Sequence, residues 1–397
     1  MTRMGSGGSD GGSGRGRSVL IHEFVTGGGL AGRDLPETLA AEGRAMRDAL
    51  AGDFAAVPGV RVTMTIDDRL PARPGSWEVV RVGPGQEPDE FARLAAEADY
   101  TLVVAPESGG ILFDRARILE RLGARSLGSR SGAIAGAGNK LMAFDRFRRG
   151  GVRTPWTRAV VPEDGWPRRI TFPVAELSRV CRFVEGPGPM AGLSPVQGVG
   201  LELEHPAVIK PVDGAGSAHT HLLTGLADWP DPGWRPEVAI LQPWVEGVPK
   251  SLSMIVSPGG RPHVIGVSSQ RAAVDRGRIS YRGGAAPLPF GEGELRMASR
   301  VVRAIPGLMG WVGIDFVDDG RSEPIVLEVN PRPTTSLVAF VSLLGPGTLA
   351  GAWLSLLDGS RRSLPEGFFG PIRARIGRPI GFDADGTLDP DQEGIGS

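Results

Sequence analysis

Late in the chain two apolar runs, VGIDFV and IVLEVN, flank the polar segment DDGRSE, and each run carries one carboxylate where its neighbours argue for burial. Asp-Gly suits the dihedrals of a hairpin turn, so the runs read as strands at 313–317 and 325–330 joined tightly. Side chains two apart on a strand share a face, which groups Glu328 with Asn330 and turns Leu327 and Val329 the other way. A symmetric hairpin sets Asp315 opposite Glu328, so two carboxylates and one amide oxygen converge on a single patch. A charge inside an apolar strand is costly unless it is paired. Solvated strand residues are therefore the weaker account of Asp315 and Glu328. An oxygen-only donor set of this size suits Mg²⁺ or Mn²⁺, with water and phosphate oxygens completing the shell.

The chain has 397 residues, enough for two or three domains at roughly 100–200 residues each. Its 44 basic and 45 acidic side chains leave a net charge of −1, without the basic excess of a chain that dwells on nucleic acid. No apolar run approaches the roughly 18 residues that would cross a bilayer, and the glycine-rich start lacks the apolar core of a secretion signal. The single cysteine, Cys181, excludes an internal disulfide and a multi-cysteine metal cluster. A cytoplasmic protein acting on small molecules is expected, with no nucleic-acid or membrane partner and a homodimer left open. Only three of the 44 basic residues are lysines, Lys140, Lys210 and Lys250, and the two asparagines are Asn139 and Asn330. GC-rich codon usage accounts for arginine replacing surface lysine. A lysine that survives such a bias marks a place where a compact, flexible ammonium does what a planar fork cannot.

Residues 1–17 are glycine, serine and scattered charge, the composition of a disordered tail. Strands at 19–24, 60–66, 79–82 and 100–105 alternate with helices at 36–50, 90–98 and 113–122, the pattern of a largely parallel open sheet. A helix opens at Asn139 and ends at Gly150 and Gly151. Strands then read at 206–211, 220–223, 238–243, 252–255 and 263–269, followed by a helix at 297–309 and the acidic hairpin. Beyond residue 360 the chain is Pro/Gly-rich and reads as a loose tail.

Two further segments bear on chemistry. In HPAVIKPVDGAGSAHT a buried strand delivers Lys210 to a loop with Gly214, Gly216 and Ser217, where backbone N–H groups can approach phosphate oxygens. The lysine precedes the glycines, so this is no Walker A loop. In AILQPWVEGVPKS an apolar strand ends at Gln242, Pro243, Trp244 and Val245, where backbone groups can meet an adenine edge while Trp244 or Val245 packs on the ring. Each segment alone is as well explained by ordinary packing.

Taken in order, Lys140 opening a helix, Lys210 before its glycine loop, the strand end at 242–245 and Asp315 with Glu328-x-Asn330 resemble the ATP-grasp superfamily of carboxylate–amine ligases over about residues 18–340. The resemblance implies an α/β plus α+β architecture: a pre-ATP-grasp open α/β domain at 18–130, a lid subdomain at 131–250 and a metal-bearing subdomain at 251–360, followed by the tail at 361–397. It also implies that Lys140 and Lys210 hold the α- and β-phosphates, that Gly214, Gly216 and Ser217 close over the triphosphate, and that Gln242, Pro243, Trp244 and Val245 hold adenine. Asp315, Glu328 and Asn330 would bind Mg²⁺ or Mn²⁺, and Arg332, in NPRPT, would steady the transferred phosphoryl group. The glutamate that usually binds the ribose has no clear counterpart. Glu246 lies near its place, and Lys250 stands where ribose or phosphate would be met. Within the superfamily the motifs look most like the tyramine–glutamate ligase group of the methanofuran pathway, which implies glutamate as one partner. Segments 26–29, 107–110, 282–284 and 334–336 are expected around the acceptor.

Several features compete. Gly27, Gly28, Gly29 and Gly32 fit GxGxxG after a strand, the setting of a dinucleotide-binding oxidoreductase, but the nearest strand-end carboxylates, Asp67 and Asp68, lie too far on. These glycines read better as a turn at the lip of the acceptor pocket. GFDADGTLDP, with Asp383 and Asp385, resembles the first motif of haloacid-dehalogenase phosphatases, yet too little chain follows to build that site. His219 and His221 are expected on one strand face without a third metal ligand, and Cys181 reads as a structural thiol. A non-catalytic nucleotide-binding scaffold would keep the lysines but not the metal trio.

Overall fold

The computed structural model describes residues 16–162, 181–185, 194–195, 206–214, 219–224, 230–231, 233–361, 363–365 and 367–389. In chain order the strands are β1 (Arg17–Glu23), β2 (Val60–Asp67), β3 (Trp77–Val82), β4 (Tyr100–Val104), β5 (Arg158–Pro162), β6 (Cys181–Glu185), β7 (Ser194–Pro195), β8 (Ala207–Pro211), β9 (His221–Leu223), β10 (Ala239–Pro243), β11 (Val248–Val256), β12 (Pro262–Ser269), β13 (Ala272–Asp275), β14 (Arg278–Tyr281), β15 (Gly284–Ala286), β16 (Gly310–Asp318), β17 (Ile325–Asn330), β18 (Ile380–Phe382) and β19 (Leu388–Asp389). The helices are α1 (Glu37–Ala55), α2 (Glu87–Glu97), α3 (Ile111–Leu122), α4 (Ser131–Gly138), α5 (Lys140–Arg149), α6 (Glu292–Ala304), α7 (Leu337–Leu344), α8 (Thr348–Leu357) and α9 (Gly370–Ala374).

Sheet order β3-β2-β1-β4 is parallel throughout. Its central strand is apolar on both faces because both are covered. Val19 and Ile21 pack with Met46, Leu50 and Phe54 of α1, while Leu20 joins Phe91 and Leu94 of α2. An antiparallel sheet of order β13-β14-β9-β8-β10-β5-β6-β7 follows, and a second antiparallel sheet has the order β12-β11-β16-β17. That second sheet is apolar on both faces. Leu252, Met254, Val312, Ile314, Phe316 and Val329 pack with α6, while Ile255 and Trp311 face Phe340 of α7 and Trp353 of α8.

The acidic hairpin forms, but not symmetrically. Near the turn Val317 pairs with Ile325 and Phe316 with Val326, a register that would set Asp315 against Leu327. An irregularity between Asp315 and Phe316 skips Leu327 and brings Glu328 opposite Asp315. Because a one-residue slip exchanges the two faces of a strand, this bulge decides which side of the sheet receives the Glu328 carboxylate.

SGAIAGAG forms α4, with no Cβ at Gly136 to obstruct the Arg146 guanidinium. Two other elements depart from expectation. The segment 361–397, expected as a loose tail, supplies β18 and β19 to a sheet with β15, and Phe382 there is fully buried. His219 does not share a strand face with His221. It precedes β9 at φ 62°, and its carbonyl accepts from Trp234 Nε1 at 2.9 Å. The expected tail at 1–17 falls outside the described residues up to position 15, and β1 begins at Arg17. Among the described residues no single helix is long and apolar enough to cross a membrane.

Asp53, buried on α1, ties the parallel sheet's helix to α8 by accepting from the amides of Gly347 at 2.6 Å and Ala350 at 2.7 Å. These are the otherwise unpaired N–H groups of a helix start. Replacing Asp53 with Ala is expected to lower stability by about 2 kcal/mol, read as a lower midpoint in urea unfolding, with Asp53→Asn recovering part of the loss.

Candidate active site

Lys140 is placed by two devices at the head of α5. Asn139 caps the helix, its Oδ1 accepting from the amides of Leu141 and Met142 at 3.1 and 3.0 Å. The Lys140 amide donates to the Val212 carbonyl at 2.8 Å, which fastens the helix to the chain just past β8. Its ammonium then donates to the Gly214 carbonyl at 3.0 Å and stands 3.8 Å from Glu328 Oε1. Lys210 sits in β8 opposite Ile240 and is buried. Burial, aided by the charge of Lys140, brings its ammonium down to about 8, although Glu328 and Asp315 pull the other way.

Asp315, on β16, is held at both oxygens. Oδ1 accepts from Ser251 Oγ at 2.7 Å and from Gln270 Nε2 at 2.9 Å, and Oδ2 accepts from Asn330 Nδ2 at 3.1 Å. Burial and the facing Glu328 push its carboxyl up to about 6 against these hydrogen bonds. All five residues that sequence reasoning set around one phosphate group, Lys140, Lys210, Asp315, Glu328 and Asn330, thus meet at one place between the two antiparallel sheets.

A divalent cation fits here on the chemistry of the donors. Among the described residues no three His, Cys, Asp or Glu side chains gather as a metal group, so the set is two carboxylates and an amide oxygen. Mg²⁺ accepts so few protein ligands because it keeps water and takes phosphate oxygens. The Asp315 carboxyl is raised first by burial and second by the like charge of Glu328, and a bound cation would offset both.

Arg332, just past β17, has its Nε 3.0 Å from Glu107 Oε1, and its Nη1 donates to the Pro333 carbonyl at 3.1 Å. Glu107 comes from the loop after β4, so this buried pair joins the parallel sheet to the hairpin. Thr335 Oγ1 donates to Glu42 of α1 nearby. Burial pushes the carboxyls of both Glu42 and Glu107 up. Sequence reasoning placed positions 107 and 335 around the acceptor but missed Glu42, Ser251 and Gln270. Ser251 was within reach, because it is the cross-strand partner of Asp315.

Other expected contacts stand differently. Gly214 adopts φ 122° and lends its carbonyl to Lys140, while Gly216 and Ser217 lie outside the described residues. The Gln242 side chain is turned into the protein, donating to Thr157 Oγ1 at 2.8 Å, so only its backbone could serve an adenine. Pro243 ends β10, Trp244 is exposed with its amide given to the Pro206 carbonyl, and Val245 is half-buried. Lys250, expected at ribose or phosphate, is instead paired with Asp318 at 2.7 Å, and Glu246 is exposed. The GxGxxG turn is no phosphate cradle. Glu23 already accepts from the amides of Val25 and Thr26 at 3.0 and 2.7 Å, and a Cβ at Gly28 would lie 2.4 Å from Val82. Asp383 accepts from Arg271 at 2.9 Å, and Asp385 closes its own turn on the Thr387 amide. The Cys181 backbone pairs with Pro162 in β5.

Comparison with known proteins agrees with this geometry. Residues 192–336 match the model of an ATP-grasp domain, and residues 60–134 match that of a pre ATP-grasp 3 domain. The chain is 24% identical over 332 residues to the tyramine–L-glutamate ligase of Methanocaldococcus jannaschii, covering 80% of this chain and 83% of that protein. It is 26% identical over 244 residues to the ligase of the same name from Methanocaldococcus fervens, covering 60% of each. Among solved structures, an ATP-grasp superfamily protein from Archaeoglobus fulgidus matches with a TM-score of 0.56 at 23% identity, over 86% of this chain and 88% of that one. The L-amino acid ligase of Bacillus licheniformis matches with a TM-score of 0.56 at 14% identity, over 93% and 80%. At those identities the structures speak for the fold. A parallel α/β sheet leads into two antiparallel sheets that hold the lysines and carboxylates between them, and the chain has the ATP-grasp fold, with an ATP-grasp domain matched at residues 192–336.

Proposed function

We propose that this protein is an ATP-dependent carboxylate–amine ligase that forms an amide and releases ADP and phosphate. The observation that carries the reading is the meeting of Lys140 and Lys210 with Asp315, Glu328 and Asn330. In such chemistry a carboxylate takes the γ-phosphoryl group of ATP, and the amine then displaces phosphate from the resulting acyl phosphate. Little covalent work falls to side chains, so catalysis is positioning and charge stabilisation. Lys140 and Lys210 would hold the α- and β-phosphates, Arg332 would steady the phosphoryl group in transfer, and the backbone at 242–245 would meet adenine. Asp315, Glu328 and Asn330 would hold Mg²⁺, which neutralises phosphate oxygens when bound. Gly214 begins the loop that would close over the triphosphate and keep water from the acyl phosphate.

The relatives named tyramine–L-glutamate ligases support glutamate as the acid and a small primary amine as its partner. Glu42, which lies close to Glu23, Glu107 and Arg332, contributes the negative field an ammonium group would seek. Nothing favours the oxidoreductase reading, since the glycine turn that suggested it is filled by the protein itself. The deciding experiment pairs ATP and Mg²⁺ with glutamate and a panel of amines that includes tyramine, following phosphate release and the amide by mass spectrometry. A pair-dependent amide product is expected. Phosphate release that needs no amine, with no amide formed, would reject the ligase reading.

Lys210→Ala and Glu328→Ala should each lower turnover about a hundredfold or more while circular dichroism still shows a folded protein, with a lower melting temperature. Unchanged turnover in either would remove that residue from the site. The Lys210 ammonium at about 8 adds a pH signature. Below that value the group is charged and ready for phosphate, and above it the charge is lost. Metal-free ATP binding, followed by calorimetry, is therefore expected to weaken as pH rises past about 8, by up to about tenfold per unit. An affinity flat to pH 10 would place Lys210 away from the nucleotide.

A further inference from the structure

Asp315 has a hydrogen-bond arrangement that its expected role as a cation ligand does not by itself explain. An ionised carboxylate offers about four acceptor positions, two on each oxygen. At Oδ1 both are filled, by Ser251 Oγ at 2.7 Å and Gln270 Nε2 at 2.9 Å. At Oδ2 one is filled, by Asn330 Nδ2 at 3.1 Å. One position on Oδ2 is left, and the same contact orients the Asn330 amide so that its own oxygen is turned away from Asp315.

Ser251 reaches Asp315 as its direct neighbour across β11 and β16. Gln270 does so from outside those strands, at the exit of β12. Its amide donates to the Pro249 carbonyl at 3.0 Å, which fixes its main chain to the start of β11. The next residue closes the base of the β13–β14 hairpin, the Arg271 amide donating to Gly283 at 2.7 Å and the Arg282 amide to Arg271 at 2.8 Å. That hairpin pairs through Arg278 with His221 of β9, and β9 pairs with β8, the strand of Lys210. Gln270 is thus anchored where the sheet of the carboxylates passes into the sheet of the lysine. A neutral amide is the side chain suited to the place. It donates to Asp315 without adding a third negative charge beside Glu328, and it brings no cation that would compete with the metal.

We propose that Gln270 is a positioning residue for the metal site: with Ser251 it saturates Asp315 Oδ1 and so presents Asp315 to a divalent cation through Oδ2 alone. This rests on the assignment of Asp315, Glu328 and Asn330 as the cation's ligands. Partners that orient a metal ligand typically contribute about ten- to hundredfold in metal affinity.

The test measures Mn²⁺ bound to the full chain with a non-hydrolysable ATP analogue, read as loss of the free-ion paramagnetic resonance signal. It compares wild type with Gln270→Met, which keeps the volume without the donor, Gln270→Glu, which adds a charge, and Glu328→Gln. Gln270→Met is expected to weaken Mn²⁺ binding about tenfold or more, and Gln270→Glu, which also lacks the donor but adds a negative charge that attracts the cation, less so. The Mg²⁺ dependence of ADP formation should shift in parallel, with the effect falling on the Mg²⁺ concentration required more than on kcat. Binding unchanged in Gln270→Met, with only a lower melting temperature, would overturn the proposal and leave Gln270 a structural partner. Binding lost in Glu328→Gln but kept in both Gln270 variants would overturn it while leaving the metal site intact. Binding equal in wild type and Glu328→Gln would instead remove the metal-site assignment itself.

Discussion

Asp315 and Glu328 are adjacent carboxylates in a largely buried setting, and their mutual repulsion is the constraint to which the surrounding structure responds. Burial, and after it the repulsion from Glu328, lift Asp315 to about 6, and the hydrogen bonds from Ser251 and Asn330 oppose that rise. The nearest cations come from elsewhere in the chain. Lys140 stands 3.8 Å from Glu328, and Lys210 is coupled to both acids. Neither pair of like charges is stable without the other, since an unpaired buried charge is penalised far more heavily than a paired one. The two antiparallel sheets therefore have an electrostatic reason to face each other before any nucleotide arrives. A triphosphate and its cation would then exchange with an arrangement already balanced in sign.

That balance depends on small backbone decisions. The bulge that skips Leu327 sets Glu328 opposite Asp315, whereas the unbulged register would send its carboxylate into the apolar layer of Val326 and Val329. The Asn139 cap and the bond from the Lys140 amide to Val212 fix the start of α5, so a long side chain on a helix end reaches a strand of the other sheet. The buried pair of Arg332 with Glu107 carries the connection to the parallel sheet, and Asp53 with the start of α8 repeats it on the far side of the core. The Asn139 cap and the Asp53 contact each satisfy backbone N–H groups that a helix start would otherwise leave unpaired.

How much of this could be read beforehand follows from the range of each interaction. Local signals were legible. The alternation of strands and helices to residue 122, the helix after Asn139, and the tight turn between VGIDFV and IVLEVN are all properties of short windows. The pairing of Asp315 with Glu328 was also anticipated, though through a symmetry that the hairpin does not have. What escaped was set by distant partners. A bulge leaves no mark in the apolar pattern, and Gln270 has no local feature to distinguish it from any loop glutamine. Lys250 was drawn toward the nucleotide by its position near the expected ribose contact, but Asp318, opposite the start of its own strand, captures it. The strands β18 and β19 were hidden in a Pro/Gly-rich stretch because their pairing edge, β15, lies about a hundred residues earlier.

The lysines carry the argument one step further. In a chain whose basic residues are overwhelmingly arginine, all three lysines are set against carboxylates or backbone carbonyls inside the fold or at its margin. Lys210 shows why the exchange stops there. It is buried beside a second cation, and an ammonium can respond to that pressure by lowering its proton affinity to about 8, whereas a guanidinium stays charged at any accessible pH. An arginine at 210 would hold a fixed positive charge against Lys140 before any phosphate bound. The residue type that codon bias would remove is kept where a small charge must be tolerated empty and used when filled.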